Sequence, residues 1–466
     1  MFEVVNDGEA IIKIFTLNCW GLKFVSKQRK ERFKAITEYL SQRGSGYDVV
    51  FLQEVWVHED YETLKNKLCS SHDLYPYAHY FDNGIIGSGT CILSKVQLLR
   101  VSYHEFSMNG YPTTFWHGDW FGSKGIGVCQ IRFDAKNHEL KGVNPDFFDV
   151  HLYTSHYHAN YDAMNDVYLG HRVIQAFESA QWIKLTSSTA DLTIYAGDFN
   201  TEPHSLPYRI LRNVAPLEDA WEYYCEHLAI NHVGKTRNGG YTSEAPNNSF
   251  TNLLPTTHNI EQDSLPDTNI CVEGKRIDYI MYNVGPNAIV TPLSCNLPLP
   301  NRIPGENFSF SDHEAVDAMF KVTRRIIQDD DKHCGDPEQQ HNTECSGANF
   351  KRAQCNKTRN DCVKSVQEAI EVMNHCLVSI TRGQTKYAIF TVLSVLFFLI
   401  SFLPSGIQSL TAIERISLDL GLFFPRMVLA TATVIFSLMG TLFSKRERNA
   451  IREVKKQLNL ILDQDV

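Results

Sequence analysis

The chain has 466 residues, 43% of them hydrophobic and 21% charged, which is enough to bury a large core and more than a single unit usually needs. Asp and Glu number 53 against 44 Lys and Arg, and this acidic balance argues against a surface built for nucleic acid or another polyanion. Residues 1–10 carry Glu3, Asp7 and Glu9 and lack the basic start of a secretory signal, so roughly the first 330 residues are expected to be made in the cytosol unless something downstream moves them.

From the N-terminus, short β-branched and aromatic runs predict strands at 11–17, 49–52, 91–93, 127–133, 147–153, 192–195 and 277–282. Between them, residues 28–40 place Phe33, Ile36 and Leu40 on one helical stripe with Lys and Arg opposite. Residues 161–185 repeat that logic with Val167, Ile174 and Phe177. Strands mixed with a few crossing helices predict sheets flanked by helices, an α/β sandwich. Seven cysteines from Cys19 to Cys295 fall singly beside apolar strand residues, as reduced structural thiols do.

The composition turns polar over 323–386, predicting a linker with a helix near 363–380. Its cysteines, Cys334, Cys345, Cys355, Cys362 and Cys376, follow no zinc spacing. Two uncharged apolar runs follow, Tyr387 to Leu403 and Met427 to Phe443, and predict two transmembrane helices at about 387–403 and 423–443. Residues 444–466 open with six basic residues against two acidic up to Lys456. Positive charge there predicts a cytosolic C-terminus, and two spans return the catalytic part to the same side. The sequons at Asn247, Asn307 and Asn356 are then expected to carry no glycan.

The chemistry gathers at predicted strand exits. Asp198 and Asn200, at i and i+2 after the run Leu192 to Tyr195, present one charged and one neutral oxygen the same way, a metal and phosphate arrangement that an ordinary strand-to-turn exit would also explain. Asn18 ends the first strand, Glu54 ends the next, and Ser311-Asp312-His313 adds two more polar groups. Together they form an oxygen-rich set suited to hard Mg2+ and unlike a zinc site.

Leu17-Asn18-Cys19-Trp20-Gly21, Gln53-Glu54, Ser155-His156-Tyr157-His158-Ala159, Tyr168-Leu169-Gly170-His171-Arg172, Gly197-Asp198-Phe199-Asn200, Arg276-Ile277-Asp278-Tyr279 and Ser311-Asp312-His313 occur in that order. Over residues 11–322 the chain resembles the DNase I-like superfamily of Mg2+-dependent phosphodiesterases, and more closely the membrane-anchored neutral sphingomyelinases. The resemblance implies a DNase I-like four-layer α/β sandwich in residues 1–322 with its site at one edge of two packed sheets. It implies Glu54 as principal metal ligand with Asn18 close by and Asp312 at the metal shell. It further implies Asp198 orienting water, Asn200 binding phosphate, His313 as general base held by Asp278, and His156 donating to a phosphoryl or leaving-group oxygen. Asp119 and Lys124 match an Asp and a Lys five residues apart in a loop over the site. Lys124 would reach phosphate and Asp119 would hold it back, whereas a plain surface ion pair is the other reading.

His158 and His171 read as structural histidines. Tyr111 to Trp116 adds aromatics suited to a bilayer interface, a quaternary ammonium or the core. The resemblance implies cleavage of sphingomyelin in a bilayer to ceramide and phosphocholine with Mg2+, for which Mn2+ would substitute. A lysophosphocholine lipid is the rival substrate, and a nuclease or inositol phosphate phosphatase a third reading. The basic tail is expected to touch acidic phospholipids, no nucleic acid is expected as partner, and the protein is expected in the endoplasmic reticulum, another internal membrane or the plasma membrane.

Overall fold

Side-chain alternation along one strand sets the layering. In β1 (Glu9–Asn18), Ile12 and Ile14 face one way and Phe15 and Leu17 the other, and all four are fully buried, so both faces of this strand are covered. The computed structural model describes residues 9–43, 46–70, 74–134, 147–162, 165–228, 240–251, 274–325, 344–406 and 410–464. It divides into two units, Met1–Cys362 and Val363–Val466.

The first sheet runs in the order β11 (Ala288–Asn296), β12 (Val316–Arg324), β1, β2 (Val49–Gln53), β4 (Cys91–Ser94), β3 (Tyr77–Tyr80). The second runs β5 (Leu98–Glu105), β6 (Gly125–Asp134), β7 (Phe147–His156), β8 (Leu192–Asp198), β10 (Asp278–Val284), β9 (Glu218–Asp219). Each sheet has one parallel pair, β1 with β2 and β7 with β8. A parallel pair requires a crossover, and the helices α1 (Arg29–Arg43) and α3 (Leu169–Thr186) lie in those two connections.

The inner faces of the sheets meet through Ile12, Ile14, Phe51 and Ile92 on one side and Ile131, Leu152, Ile194 and Ile280 on the other. Outside the first sheet, Phe33, Ile36 and Leu40 of α1 and Tyr61 and Leu64 of α2 (His58–Lys65) pack on Phe15, Leu17, Val50 and Leu52. Each such side chain contributes about 1.5–3 kcal/mol when fully buried. Outside the second sheet, α3 buries Val173, Ile174 and Phe177 beside α4 (Leu206–Val214), whereas α5 (Ala220–His227), capped by Asp219, which accepts from the Trp221 N–H at 2.9 Å, packs on β11 and β10. The result is the DNase I-like layering of helix, sheet, sheet and helix.

Two local expectations need correction. The third helix begins at Leu169, not near Tyr161, because Asn160 and Asp166 accept the N–H groups of Asp162 and Tyr168 and hold turns there. Val167 is consequently 52% exposed and outside the helix. Arg32, expected among the outward basic residues of α1, is fully buried.

The second unit holds the part of α6 (Glu344–Ile400) from Val363 on, then α7 (Ala412–Leu438) and α8 (Ser444–Gln464). The stretches Arg359–Gly406 and Ala412–Gln464 each hold a segment long and apolar enough to cross a membrane, with mean hydropathy 2.3 and 1.8. Phe390 meets Phe436 with ring centres 5.4 Å apart. Arg426 ties the two helices at the turn, donating to Asp419 at 2.9 Å and to the Ser401 carbonyl at 2.8 Å. At the other end Val366, Ala369 and Met373 of α6 and Ile451, Val454 and Leu458 of α8 are buried at i, i+3, i+7 spacing, and Lys455 reaches Asn374 at 2.7 Å. Thus α8 lies antiparallel beside the start of the same hairpin.

At Gly197 β7 and β8 approach closely, since an added Cβ would stand 2.1 Å from the Ser155 carbonyl oxygen. Gly197→Ala is therefore expected to cost about 3 kcal/mol, the upper end of overpacking, and thermal melting of the variant checks it.

Candidate active site

Strand ends from both sheets converge at one edge. In the second sheet the register sets His156 opposite Asp198 and Asp198 opposite Asp278, one row across three strands. In the first, Asn18 lies opposite Gln53, and Glu54 follows directly. Asn18 joins the rows: its Nδ2 donates to Glu54 Oε1 at 3.0 Å and to Asp198 Oδ2 at 2.9 Å, across 180 residues of sequence. Trp20, Glu54 and Asn200 each take left-handed backbone just past a strand end, with φ of 48°, 56° and 44°. Gly21 lets the exit of β1 lie against Glu54, because a Cβ there would meet the Glu54 carbonyl oxygen at 2.1 Å.

The Asn200 N–H donates to Asp198 Oδ1 at 2.9 Å, and its amide reaches the Tyr157 carbonyl at 3.1 Å. His313 pairs through Nδ1 with Asp278 Oδ2 at 2.8 Å, and its Nε2 lies 3.9 Å from Asp198 Oδ2. The loop that carries His313 is anchored by Ser311, whose hydroxyl donates to the Asn18 carbonyl at 2.7 Å. Buried Arg32 holds the same region by donating to the carbonyls of Cys19 (2.7 Å), Trp20 (2.6 Å) and Phe310 (3.2 Å). Sequence reasoning passed over Arg32, although its place four residues before Ile36 puts it on the buried stripe.

Asp119 and Lys124 form a buried ion pair at 2.6 Å, so the exposed surface pair is excluded. Lys124 Nζ also lies 3.2 Å from His156 Nε2 and donates to the Tyr157 carbonyl at 2.9 Å. Asp119 accepts from the Tyr161 hydroxyl at 2.5 Å, and His158 lies behind it, with Nε2 at 3.6 Å and its ring stacked on Tyr168 at 3.9 Å. His171 is buried, edge-on to Tyr111 at 4.7 Å. Tyr111 therefore packs on the histidine side, whereas the side chains of Phe115 and Trp116 lie outside the described residues.

A cleft of about 140 Å³ is lined by Glu54, Lys124, His156, Asp198, Asn200 and His313, with Leu22, Trp56, Ile86 and Tyr161 among its apolar and aromatic walls. Trp56 and Tyr161 are lining residues that sequence reasoning missed. Gly89 and Gly122 give Trp56 its room, since a Cβ at either would stand within 3.0 Å of its ring. A larger depression, about 320 Å³, lies between α1 and α2 and contains none of these groups.

The cleft concentrates negative charge. Burial, reinforced by Asp312, pushes the Glu54 carboxyl up to about 7, and burial with Asp278 alongside raises Asp198. Burial opposes charge on His313, but Asp278 and Asp198 outweigh it and hold the imidazole well above its ordinary value. Burial and neighbouring Lys124 press His156 well below its own, leaving it neutral. Burial also opposes charge on Asp119, which Lys124 and His158 overcome, holding it below the usual carboxylate range.

Glu54 Oε2 is buried without a hydrogen-bond partner, as is Asp278 Oδ1. Among the described residues Glu54, His156 and Asp198 bring ligand atoms within 4.8 Å of one another, and so do Asp198, Asp278 and His313. An orphaned carboxylate oxygen within a carboxylate-rich set fits a hard divalent cation. Asp312 belongs to neither group; its Oδ1 lies 3.2 Å from the Ser311 hydroxyl oxygen.

Residues 15–313 match the Endonuclease/Exonuclease/phosphatase family. A Drosophila melanogaster protein named as a neutral sphingomyelinase is 37% identical over 67% of this chain and 61% of its own length, so the chain spans less than two thirds of that relative. Sphingomyelin phosphodiesterase 2 of Mus musculus is 33% identical over 68% of this chain and 67% of its own. Among solved structures, sphingomyelinase C from Streptomyces griseocarneus shows 17% identity and a TM-score of 0.45 over 66% of this chain and 99% of that one. The chain belongs to the endonuclease/exonuclease/phosphatase family, in its neutral sphingomyelinase branch.

Proposed function

We propose that this chain is a Mg2+-dependent phospholipase C-type hydrolase that cleaves sphingomyelin to ceramide and phosphocholine. The observation that carries the chemistry is the row His156, Asp198, Asp278 facing Glu54 across Asn18, with His313 at the same mouth. The names of the relatives carry the lipid. When bound by Glu54, with Asn18 and Asp312 beside it, the cation would neutralise charge developing on the phosphate.

The protein's own groups do the rest. Asp278 fixes the His313 tautomer from behind, leaving Nε2 toward the water that Asp198 orients. In the neutral form of His313 that water loses a proton to Nε2 as its oxygen bonds to phosphorus, the bond from phosphorus to the ceramide oxygen breaks, and the released oxygen takes up a proton from solvent. Asn200 and His156 donate to phosphoryl oxygens, and Lys124 sets a positive charge beside them. No covalent enzyme intermediate is required.

Catalysis is assigned to residues 1–322, followed by a linker over 323–386, two spans within 387–443 and a cytosolic tail over 444–466. Release of labelled phosphocholine should occur from sphingomyelin in preference to lysophosphatidylcholine, and should stop with chelator. Preference for the lyso-lipid would move the assignment to that substrate, and release unaffected by chelator would reject the metal.

The tail bears on orientation. Six basic residues from Lys445 to Lys456 favour the cytosol, and the packing of α8 against residues 366–374 of α6 supports a chain that returns to the side it left. In sealed microsomes with the cytosolic face outward, the catalytic unit is expected to be cut by added protease, with Asn247, Asn307 and Asn356 unglycosylated. Protection together with a glycosidase-sensitive mass shift would place it in the lumen.

A further inference from the structure

The mouth of the cleft is ringed by large apolar side chains that nothing in the reaction uses. Leu22 and Ile86 line the cleft itself, and each belongs to a loop whose neighbours point into solvent: Phe24 is 92% exposed, Val25 67% and Ile85 76%. A tip so apolar and so exposed is unusual on a soluble surface, where burying such groups is favourable.

The two loops are held in place. Asn83 donates to the Ser123 carbonyl at 3.1 Å, and Gly84 approaches Ser123 so closely that a Cβ would meet its hydroxyl at 2.1 Å, which ties the loop of Ile85 to the residue preceding Lys124. The other loop turns back on itself through the Ser26 N–H, which donates to the Leu22 carbonyl at 3.0 Å, and it leads into α1. Lys23, Lys27, Lys30 and Lys34 are exposed along the same stretch, and Lys23 lies 5.7 Å from the ring of Phe24. The Phe24–Val25 tip, flanked by ammonium groups, matches the bilayer interface, where acyl chains lie beneath phosphates, and the Ile85 tip adds a second apolar point beside exposed Asp82.

We propose that Phe24, Val25 and Ile85 form a bilayer-docking rim, seated among lipid headgroups so that the cleft opens onto the membrane surface. The occupant is a lipid bilayer. A headgroup then enters the cleft while its lipid body stays in the membrane. The proposal rests on the lipid-hydrolase reading above, and it is separate from the membrane-crossing helices, which anchor the chain wherever the rim lies.

The test uses the full chain reconstituted in vesicles of phosphatidylcholine and sphingomyelin. Two substrates are supplied to each preparation: the sphingomyelin of the vesicle and a short-chain, water-soluble sphingomyelin analogue. The double variant F24S/I85S is expected to lose tenfold or more on vesicle sphingomyelin and to stay within twofold on the soluble analogue. Equal losses on both substrates, or none on either, would overturn the rim. Phe24→Trp supplies a readout independent of turnover: its added emission is expected to be quenched by brominated lipid in the vesicles. Unquenched emission would overturn the proposal, including the case of a rim that binds a protein. If the wild type cleaves neither substrate while Phe24→Trp is quenched, the hydrolase reading fails and the docking surface stands.

Discussion

Glu54→Gln is expected to lower turnover by at least about 10³-fold, the equivalent of several kcal/mol of transition-state stabilisation from a metal centre. The side chain keeps its length and one oxygen but loses its charge, which is what a divalent cation selects for. The fold should survive, because Glu54 sits past the end of β2 and its partner Asn18 keeps a hydrogen bond to Asp198 at 2.9 Å. Adding Mg2+ to wild type should raise the melting temperature, since a ligand at a hundred times its dissociation constant stabilises by about 2.7 kcal/mol. The variant should show no such rise. A folded Glu54→Gln protein with wild-type activity, or one that still melts higher with Mg2+, would remove Glu54 from the metal.

His313→Ala is expected to cost about 10² to 10⁴-fold, the contribution of a positioned general base. Its Nε2 is the ring nitrogen left toward Asp198, because Nδ1 is occupied by Asp278 at 2.8 Å. Asp278→Asn should reproduce a smaller loss through the imidazole: an amide that donates to Nδ1 leaves the proton on Nε2, where it cannot accept another. Both losses should fall on kcat with KM little changed, since neither group is assigned to binding the lipid. A His313→Ala enzyme within a factor of about two of wild type would reject the assignment.

The α/β sandwich was legible because the central strands are short runs dominated by β-branched and aromatic residues. The runs 49–52, 147–153 and 192–195 became β2, β7 and β8, each buried on both faces. The outer strands were not legible. β5 carries Leu98 and Val101 but is largely exposed, so no buried stripe advertises it, and β11 is interrupted by Pro292 and a bulge before Ser294. At the site, strand exits were the readable signal: Asn18, Glu54, His156, Asp198, Asn200, Asp278 and His313 are brought together because each ends, begins or closely follows a strand or is carried by one tight loop. Asp119 and Lys124 join them from the loop before β6. What stayed hidden depends on long-range packing. The burial of Arg32 is fixed by carbonyls 12, 13 and 278 residues away, and Trp56 finds its room only through Gly89 and Gly122.

The backbone at Trp20 and Glu54 has an energetic meaning of its own. A non-glycine residue held in the left-handed region costs of order 1–3 kcal/mol, and neither Trp nor Glu is among the residues that tolerate it best. Against the ~5–15 kcal/mol by which a typical domain is stable, two such residues are a standing load that the buried sheets must offset. Stability and turnover therefore pull in opposite directions at position 54: glycine would relax the main chain and leave the cleft without its carboxylate. A selection for heat resistance alone would drift toward a sturdier protein that no longer works.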